Sequence, residues 1–556
     1  MKRILRYIVF ASSMAAAFVS CNNLDLDPTD RYSPAVIWAS ESSIDTYVLG
    51  FYGFFKESTE IHDMMHFSDA YSDIIKSSSW NQYNHRYNFA LLQESTFTDV
   101  NAGPLDCWNA CYNEIKQDNE FLRDAPNYVE KFGKDFIDTR IAEIRLVRGY
   151  AYFQLMRLYG NKEIEKGGVV LRTKLDGPEE NDKARSTWDE SWDVVIDDMT
   201  FAAEHLPETW GNQRRFTKAA AYGLLSRAAL YAERWDDVIK AAEKCKEAGG
   251  RLSGNYAALF DAGNGLNDPE NLLVVNYVTR QMTHNADKFF RPIGDGESHN
   301  KSTLYGAFGP TSELVDSYEM ADGTDFSWDV HGADPYKGRE PRFYATIMYN
   351  GMSWEGRTIE TFKGGKDGIR PFNDVGAAGS TVTGYYLKKY ITEDDHQWEK
   401  NGSWHFAPVI RYAEVLLNYA EALAEKDWGA NASAALAALN EVRTRVGLPD
   451  KDASNLEAFR TILRHERMVE LAGEGFRYWD IRRWRLGDKI IHGKQAHGCE
   501  ITRTSGEGVQ PATYSYKQIE VDAGRQRIFH DSFYSFSIPI VERSNNKLLG
   551  PNNPGW

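Results

Sequence analysis

The densest run of ionisable side chains in the 556-residue chain lies between Glu466 and Trp484. Glu466, Glu470 and Glu474 recur every four residues, a spacing that can present one carboxylate stripe on a helix. Arg477, Arg482 and Arg483 follow closely enough to pair with that stripe or with neighbouring helices, and Trp479 and Trp484 can cover the guanidinium planes. Arginines this near hold acids ionised, the reverse of what a general acid needs, so the cluster reads as structural. His465-Glu466 begins like a zinc-protease helix, but Val469 stands where the second histidine belongs. The chain has no phosphate-binding loop and no G-x-S-x-G elbow, while Gly263-x-Gly265 and Gly294-x-Gly296 lack the third glycine of a dinucleotide loop. Among 80 acidic residues, carboxylate pairs suited to glycoside hydrolysis arise by chance, and sequence does not give their separation. No catalytic residue, metal ligand or cofactor is assigned.

Composition narrows the partners. Lys+Arg 64 against Asp+Glu 80 leaves a net charge of −16, which repels a phosphate backbone, so nucleic acid is not an expected partner. The chain is 42% hydrophobic, ample for a large core, and 13% aromatic, more than a core obviously needs. Some of those rings are expected to face a ligand or partner.

Helical periodicity marks the elements that must position any site. In 139–159, Ile141, Ile144, Val147, Ala151, Leu155 and Leu158 fall on one face before Gly160. Residues 217–232 repeat the pattern, and a second helix from Trp235 closes at Gly249-Gly250, forming a hairpin. Residues 410–424 and 434–446 form another, stopped by Gly447 and Pro449. Small residues alternate with aromatics, as in Arg227-Ala228-Ala229-Leu230-Tyr231-Ala232, which resembles degenerate tetratricopeptide repeats. Residues 249–405 are glycine-rich and turn-rich and carry Trp328, Trp354, Trp398 and Trp404. The expectation is a mainly α fold: a scaffold of helical hairpins with a loop-rich insertion of short strands and helices, where binding function tends to sit.

Lys2, Arg3 and Arg6 precede an apolar run over 7–19, long enough for a signal peptide and too short to span a bilayer. Ser20-Cys21 resembles a bacterial lipobox, with Phe18 where leucine is usual, which makes Cys21 the expected lipidation site. Residues 22–28 form an acidic tether. Cys107, Cys111, Cys245 and Cys499 lack zinc spacing and are expected as free, mostly buried thiols. The organisation is 1–20 signal peptide, 21–30 tether, 31–248 helical scaffold with an early loop, 249–405 loop-rich insertion and 406–556 C-terminal helical region.

The motifs Arg411-Tyr412-Ala413-Glu414-Val415-Leu416-Leu417-x-Tyr419-Ala420-Glu421-Ala422 and Leu439-Asn440-x-Val442-Arg443-x-Arg445-x-Gly447-Leu448 closely resemble the SusD/RagB family of outer-membrane nutrient-binding lipoproteins. So do the Glu466–Trp484 cluster, Ile538-Pro539-Ile540-x-Glu542 and the terminal Asn553-Pro554-Gly555-Trp556. The resemblance implies a lipid-anchored protein on the outer face of the outer membrane, built on tetratricopeptide-like hairpins. It further implies a bound glycan or other nutrient and a partner, a TonB-dependent SusC-like transporter barrel that this protein caps as a hinged lid.

A sugar offers apolar C–H faces and a rim of hydroxyls, so its site needs aromatic platforms beside carboxylates, amides or arginine. Two neighbourhoods qualify. Trp80 and Asn81 follow Asp69 and Asp73 in the early loop, where the family often has an aromatic and an amide; Trp328, Tyr336, Trp354 and Arg357 lie in the insertion. A glycoside hydrolase on a helical scaffold and a protein-binding repeat scaffold indifferent to sugar are the alternative readings.

Overall fold

A computed structural model describes residues 33–57, 67–77, 97–177, 180–211, 214–298, 306, 308–369, 380–391, 393, 397–522, 524 and 526–556. Cys21, the tether, Trp80 and Asn81 lie outside the described residues. Helices of seven residues or more are α1 (Glu41–Phe51), α2 (Trp108–Asp124), α3 (Lys134–Tyr159), α4 (Trp188–His205), α5 (Lys218–Tyr231), α6 (Trp235–Glu247), α7 (Tyr412–Arg445), α8 (Leu456–Glu470) and α9 (Arg477–Arg483). From α2 to α8 each helix packs on its successor, the array of stacked hairpins that the repeat-like sequence implies. Four of these helices, α1, α4, α5 and α8, begin at a side-chain cap. Thr187 and Glu190 form a reciprocal capping box on α4, and the Thr217 hydroxyl accepts the Ala220 amide on α5. The small face of α5, with Ala220, Ala221, Gly223, Ala228 and Ala229 all buried, lets neighbouring backbones approach closely. In α7 the residue Asp427 leaves helical geometry (φ −165°, ψ 96°), which divides it into the two helices expected there. Tyr412, Leu416, Ala434 and Ala438 line one groove with α6, so the two halves share a face.

The strands are short: β1 (Ile75–Ser77), β2 (Leu273–Val275), β3 (Phe308–Pro310), β4 (Ile347–Met348), β5 (Ser353–Trp354), β6 (Arg357–Thr358), β7 (Tyr386–Leu387), β8 (Ala407–Ile410), β9 (His497–Arg503) and β10 (Tyr514–Glu520). They pair two by two and antiparallel: β1 with β3, β2 with β8, β4 with β7, β5 with β6, β9 with β10. The β2–β8 pair is the neck of the insertion, joining its entry to its exit just before α7. A Cβ at Gly223 would come within 3.0 Å of Ile410 and 3.2 Å of Leu272, so glycine on α5 is what seats this neck against the helices.

The carboxylate stripe forms, and of the two outcomes open to Arg477, Arg482 and Arg483 they take the second, bonding neighbouring elements while other cations serve the stripe. Glu466 accepts from Arg342 and Arg443, Glu470 from Arg411 (2.7 Å), Arg445 (2.6 Å) and Arg342 (3.1 Å), and Glu474 from Arg411 (2.7 Å) and Lys389 (2.9 Å). The reason is local: α8 stops at Glu470, and the left-handed glycines 473 (φ 75°) and 475 (φ 76°) turn the chain, so Glu474 enters from a bend. The nearby arginines are committed elsewhere. Arg477 binds Asp73, Arg483 binds Glu421 and Asp480, and Arg482 donates to main-chain carbonyls. Their aromatic covering is as expected, with Arg483 4.6 Å from Trp484 and Arg482 4.9 Å from Trp479. Burial acts to raise the Glu470 carboxyl, and Arg445, Arg411 and Arg342 outweigh it, holding it well below the usual carboxylate range. The four described cysteines are free and buried.

Asp118 on α2 is a contrasting case. It is wholly buried, and neither carboxylate oxygen has a hydrogen-bond partner. Burial pushes its carboxyl well above the ordinary range, Glu114 one turn earlier adds to the rise, and Arg148, engaged with Asp198, counters only in part. The folded state therefore keeps a proton that the unfolded chain gives up. Stability is unaffected below the unfolded pKa and falls as pH rises above it.

Two outcomes follow. Arg411→Met leaves Glu270, Glu470 and Glu474 short of their shared cation and costs about 3–5 kcal/mol in chemical denaturation; Arg411→Lys recovers little, because one ammonium cannot reproduce the fork. Asp118→Asn stabilises by about 1–3 kcal/mol near pH 8. Thermal melts across pH will show that gain shrinking to nothing near pH 4.

Candidate ligand-binding face

Strand β3 is where the early loop and the insertion meet. Ser77, the last described residue before segment 78–96, pairs with Phe308, the first residue of β3 after segment 299–305. A Cβ at Gly309 would lie 2.5 Å from the Thr383 hydroxyl and 2.9 Å from the Tyr385 carbonyl, so the chain leaving segment 370–379 lies directly on β3. Phe308 packs on Phe289 and Phe290 at 6.0 and 5.4 Å between ring centroids. The described ends of three loop segments thus converge on one small, buried anchor.

Asp69 and Asp73 bolt the early loop to the C-terminal region. Asp69, fully buried, accepts the amides of Gly475 and Arg477, each at 3.0 Å, and so caps the start of α9. Asp73 takes the Arg477 guanidinium bidentately at 2.8 and 2.9 Å. On β1, Lys76 pairs with buried Asp522 at 2.6 Å, whose carboxyl is pulled down to about 2, with Arg527 and Lys76 outweighing the effect of burial. These two acids were expected to meet a ligand; their oxygens are instead spent on this fastening.

In the insertion, Trp354 and Arg357 come together around Asp295. The Trp354 indole donates to Asp295 Oδ2 at 3.1 Å, and Arg357 bridges Asp295 to Asp367. Arg291, at the centre, reaches Asp287 (2.9 Å), Asp295 (3.1 Å) and Glu355 (3.0 Å), with Trp354 and Trp398 as ring neighbours at 5.6 and 5.3 Å. Burial works to lower the Arg357 guanidinium, and its bonds to Asp367 and Asp295 more than offset that, holding it above the ordinary arginine range. Asp295 and Asp367 each accept four hydrogen bonds, which fills their lone pairs. Trp354 is 3% exposed, so it is a buried brace in this conformation and not the open platform expected. Asp287, Arg291 and Asp295 stand four residues apart, a local spacing that could have flagged them, whereas the links to Glu355 and Arg357, 64 and 62 positions away, left no local signal.

Trp328 and Tyr336 belong to a different cluster. Trp328 is partly buried and donates to Asp316 at 2.8 Å. Tyr336 is buried among rings, tilted against Tyr349 (4.7 Å) and edge-on to Tyr516 (5.6 Å), again interior where a platform was expected. Burial pushes the Asp316 carboxyl up to about 6, yet its second oxygen is sealed from solvent. Neighbouring Glu313 is occupied by the amide and ring of His497. Among the described residues no group of three or more His, Cys, Asp or Glu is arranged to hold a metal, and no helix is long and apolar enough to cross a membrane.

Comparison with known proteins agrees with this architecture. Residues 271–556, more than half of the chain, match the family model described as the SusD family, and 23–230 match one described as starch-binding associating with outer membrane. SusD-like protein P2 of Formosa agariphila is 24% identical over 474 residues, covering 83% of this chain and 82% of its own. A SusD-like protein from Bacteroides fragilis superposes with a TM-score of 0.77 at 26% identity, over 94% of this chain and 99% of that one. A SusD-like carbohydrate binding protein from the same species does so at 0.74 and 25%, over 93% and 100%. With a helical array, a necked insertion and family motifs placed in the buried frame, the chain belongs to the SusD family.

Proposed function

We propose that the protein captures a glycan on the face where its three loop segments converge and passes it to a TonB-dependent SusC-like transporter, while held by acylated Cys21 on the outer face of the outer membrane. The observation that carries this reading is the β3 anchor. It sets Ser77, from which the chain runs on to Trp80 and Asn81, beside the insertion on one buried base. The naming of a Bacteroides fragilis relative as carbohydrate binding, and of a family model as associating with the outer membrane, supports the ligand class and the location.

In this reading Trp80 and Asn81 supply a stacking ring and an amide, and partly exposed Trp328 a second ring. Asp69, Asp73, Trp354, Arg357 and Tyr336 act from beneath, by holding the contact segments in place. Binding is modest, about micromolar to millimolar, because a polar groove trades water hydrogen bonds for sugar ones. Capture requires no bond cleavage, and the acids of the face fit that role. Asp295 and Asp367 are each engaged by four donors of the protein itself, and Asp316 is covered by Trp328.

Calorimetry over a panel of neutral and acidic oligosaccharides tests the reading, with reducing-end assays of the same incubations to detect hydrolysis. Trp80→Ala is expected to weaken the best ligand about tenfold, near 1.4 kcal/mol, with an unchanged melting temperature. Trp354→Ala is expected to lower the melting temperature, through loss of about 3–5 kcal/mol of buried ring packing. Equal affinity in a folded Trp80→Ala protein would remove that loop from the site. Cys21→Ala is expected to move the protein from the membrane to the soluble fraction on cell fractionation in a strain lacking the transporter, with fold and glycan affinity unchanged.

A further inference from the structure

The frame contains a hollow of about 80 Å³ where the C-terminal end of α3 meets α4, α5 and α9. That is room for a few waters or one small polyatomic ion. Five cations line it, Arg157, Lys162, Arg482, Arg483 and Arg485, against one acid, Glu233, in a chain of net charge −16. The guanidiniums lie over ring walls: Arg157 and Arg482 are 3.8 and 4.9 Å from Trp479, and Arg485 is 4.5 Å from Tyr534.

Charge compensation inside the hollow is uneven. Arg483 has Glu421 and Asp480, Lys162 has Glu233, and Arg485 has Glu163. Arg482, 5% exposed, has no carboxylate among the described residues. It donates to the carbonyls of Phe533 (2.8 Å), Tyr534 (3.1 Å), Arg157 (3.2 Å) and Leu158 (3.4 Å), two of which are in the last turn of α3. Burial pulls its guanidinium down to about 10, and the like charges of Arg157 and Arg485 pull the same way. A second, independent observation concerns Trp192, which also lines the hollow. It is 1% exposed, and its indole N–H has no acceptor.

We infer that this hollow is an oxyanion site, taking a carboxylate or sulfate group between the Arg157, Arg482 and Arg485 guanidiniums, with the surrounding rings excluding water from the contact. An anion there offsets the like charges that Arg157 and Arg485 present to Arg482 and makes charge-assisted hydrogen bonds with fork-shaped donors suited to planar carboxylates and to sulfate. The group can arrive on an acidic sugar or as a free inorganic anion. The assignment stands on the frame alone and is independent of the loop-borne glycan site.

The test is calorimetric titration of the full chain, in low-salt buffer, with sodium sulfate, sodium glucuronate and glucose. Sulfate, glucuronate or both are expected to bind at about millimolar strength while glucose does not, and the double variant Arg157→Gln/Arg485→Gln is expected to bind about tenfold more weakly. Glucuronate binding tighter than sulfate identifies an acidic sugar; sulfate binding as tightly or better identifies a free ion. Circular dichroism controls for folding, and if the double variant does not fold, Lys162→Gln/Arg485→Gln, both at exposed positions, gives the same reading. Absence of heat with either anion overturns the assignment, as does unchanged affinity in a folded variant or binding of glucose as strong as that of glucuronate.

Discussion

Glu470 has no solvent contact and holds Arg342, Arg411 and Arg445 at 3.1, 2.7 and 2.6 Å. Those three guanidiniums come from the insertion, from the residue before α7 and from the end of α7. Arg411 also reaches Glu270 at the neck and Glu474 beyond α8, while Arg443 ties Glu466 to Glu319. Taking so many charges out of water costs several kcal/mol per ion before their mutual attraction is counted, so the network adds little net stability. What it does is make docking collective. A segment that fails to arrive leaves its partners buried and uncompensated, which penalises every arrangement in which the insertion sits anywhere else.

That constraint sets how the candidate face is built. The insertion is fixed to the frame through Arg342 and Lys389, and the early loop through Asp69, Asp73 and Lys76, each contact made by a buried or half-buried charge with a directional partner. Burial pulls the Lys389 ammonium down to about 8 even beside Glu474, a measure of how dry this junction is. Segments of the chain between these fixings can then differ in composition without disturbing the frame, which suits a scaffold that presents varied loops from one architecture.

Periodicity in the sequence located α3, α5, α6 and both halves of α7, since their apolar positions recur at helical spacing against a small-residue background. It passed over α2 and α4. In α2 the buried face includes Asp118 and Asn119, so the hydrophobic repeat is broken by polar residues that are nonetheless inside. In α4 the buried positions include Asp198, which serves Arg145 and Arg148. The same cause hid the true partners of Glu466, Glu470 and Glu474: sequence ranks pairs by closeness along the chain, and Arg342 lies 124 residues from Glu466. Of the candidate site, the sequence supplied candidate residues, but not which of them the fold would turn inward.

Aromatic content shows why that last distinction was out of reach. The many rings suggested a surplus over what a core needs, left over for ligand. In the structure the surplus goes to the arginines: Trp479 lies between Arg157 and Arg482, Trp354 and Trp398 flank Arg291, Trp210 carries Arg140 and Arg215, and Phe326 and Phe343 carry Arg339. A guanidinium is flat and weakly hydrated, so a ring face covers it at little desolvation cost while its edge keeps its carboxylate or carbonyl bonds. A frame that buries arginine in quantity therefore consumes indoles and phenols in quantity. A tryptophan within reach of such a cation is then drawn inward, as Trp354 is. Rings available to a sugar are to be sought on segments that the ion network does not reach, and composition alone carries no information about where that network ends.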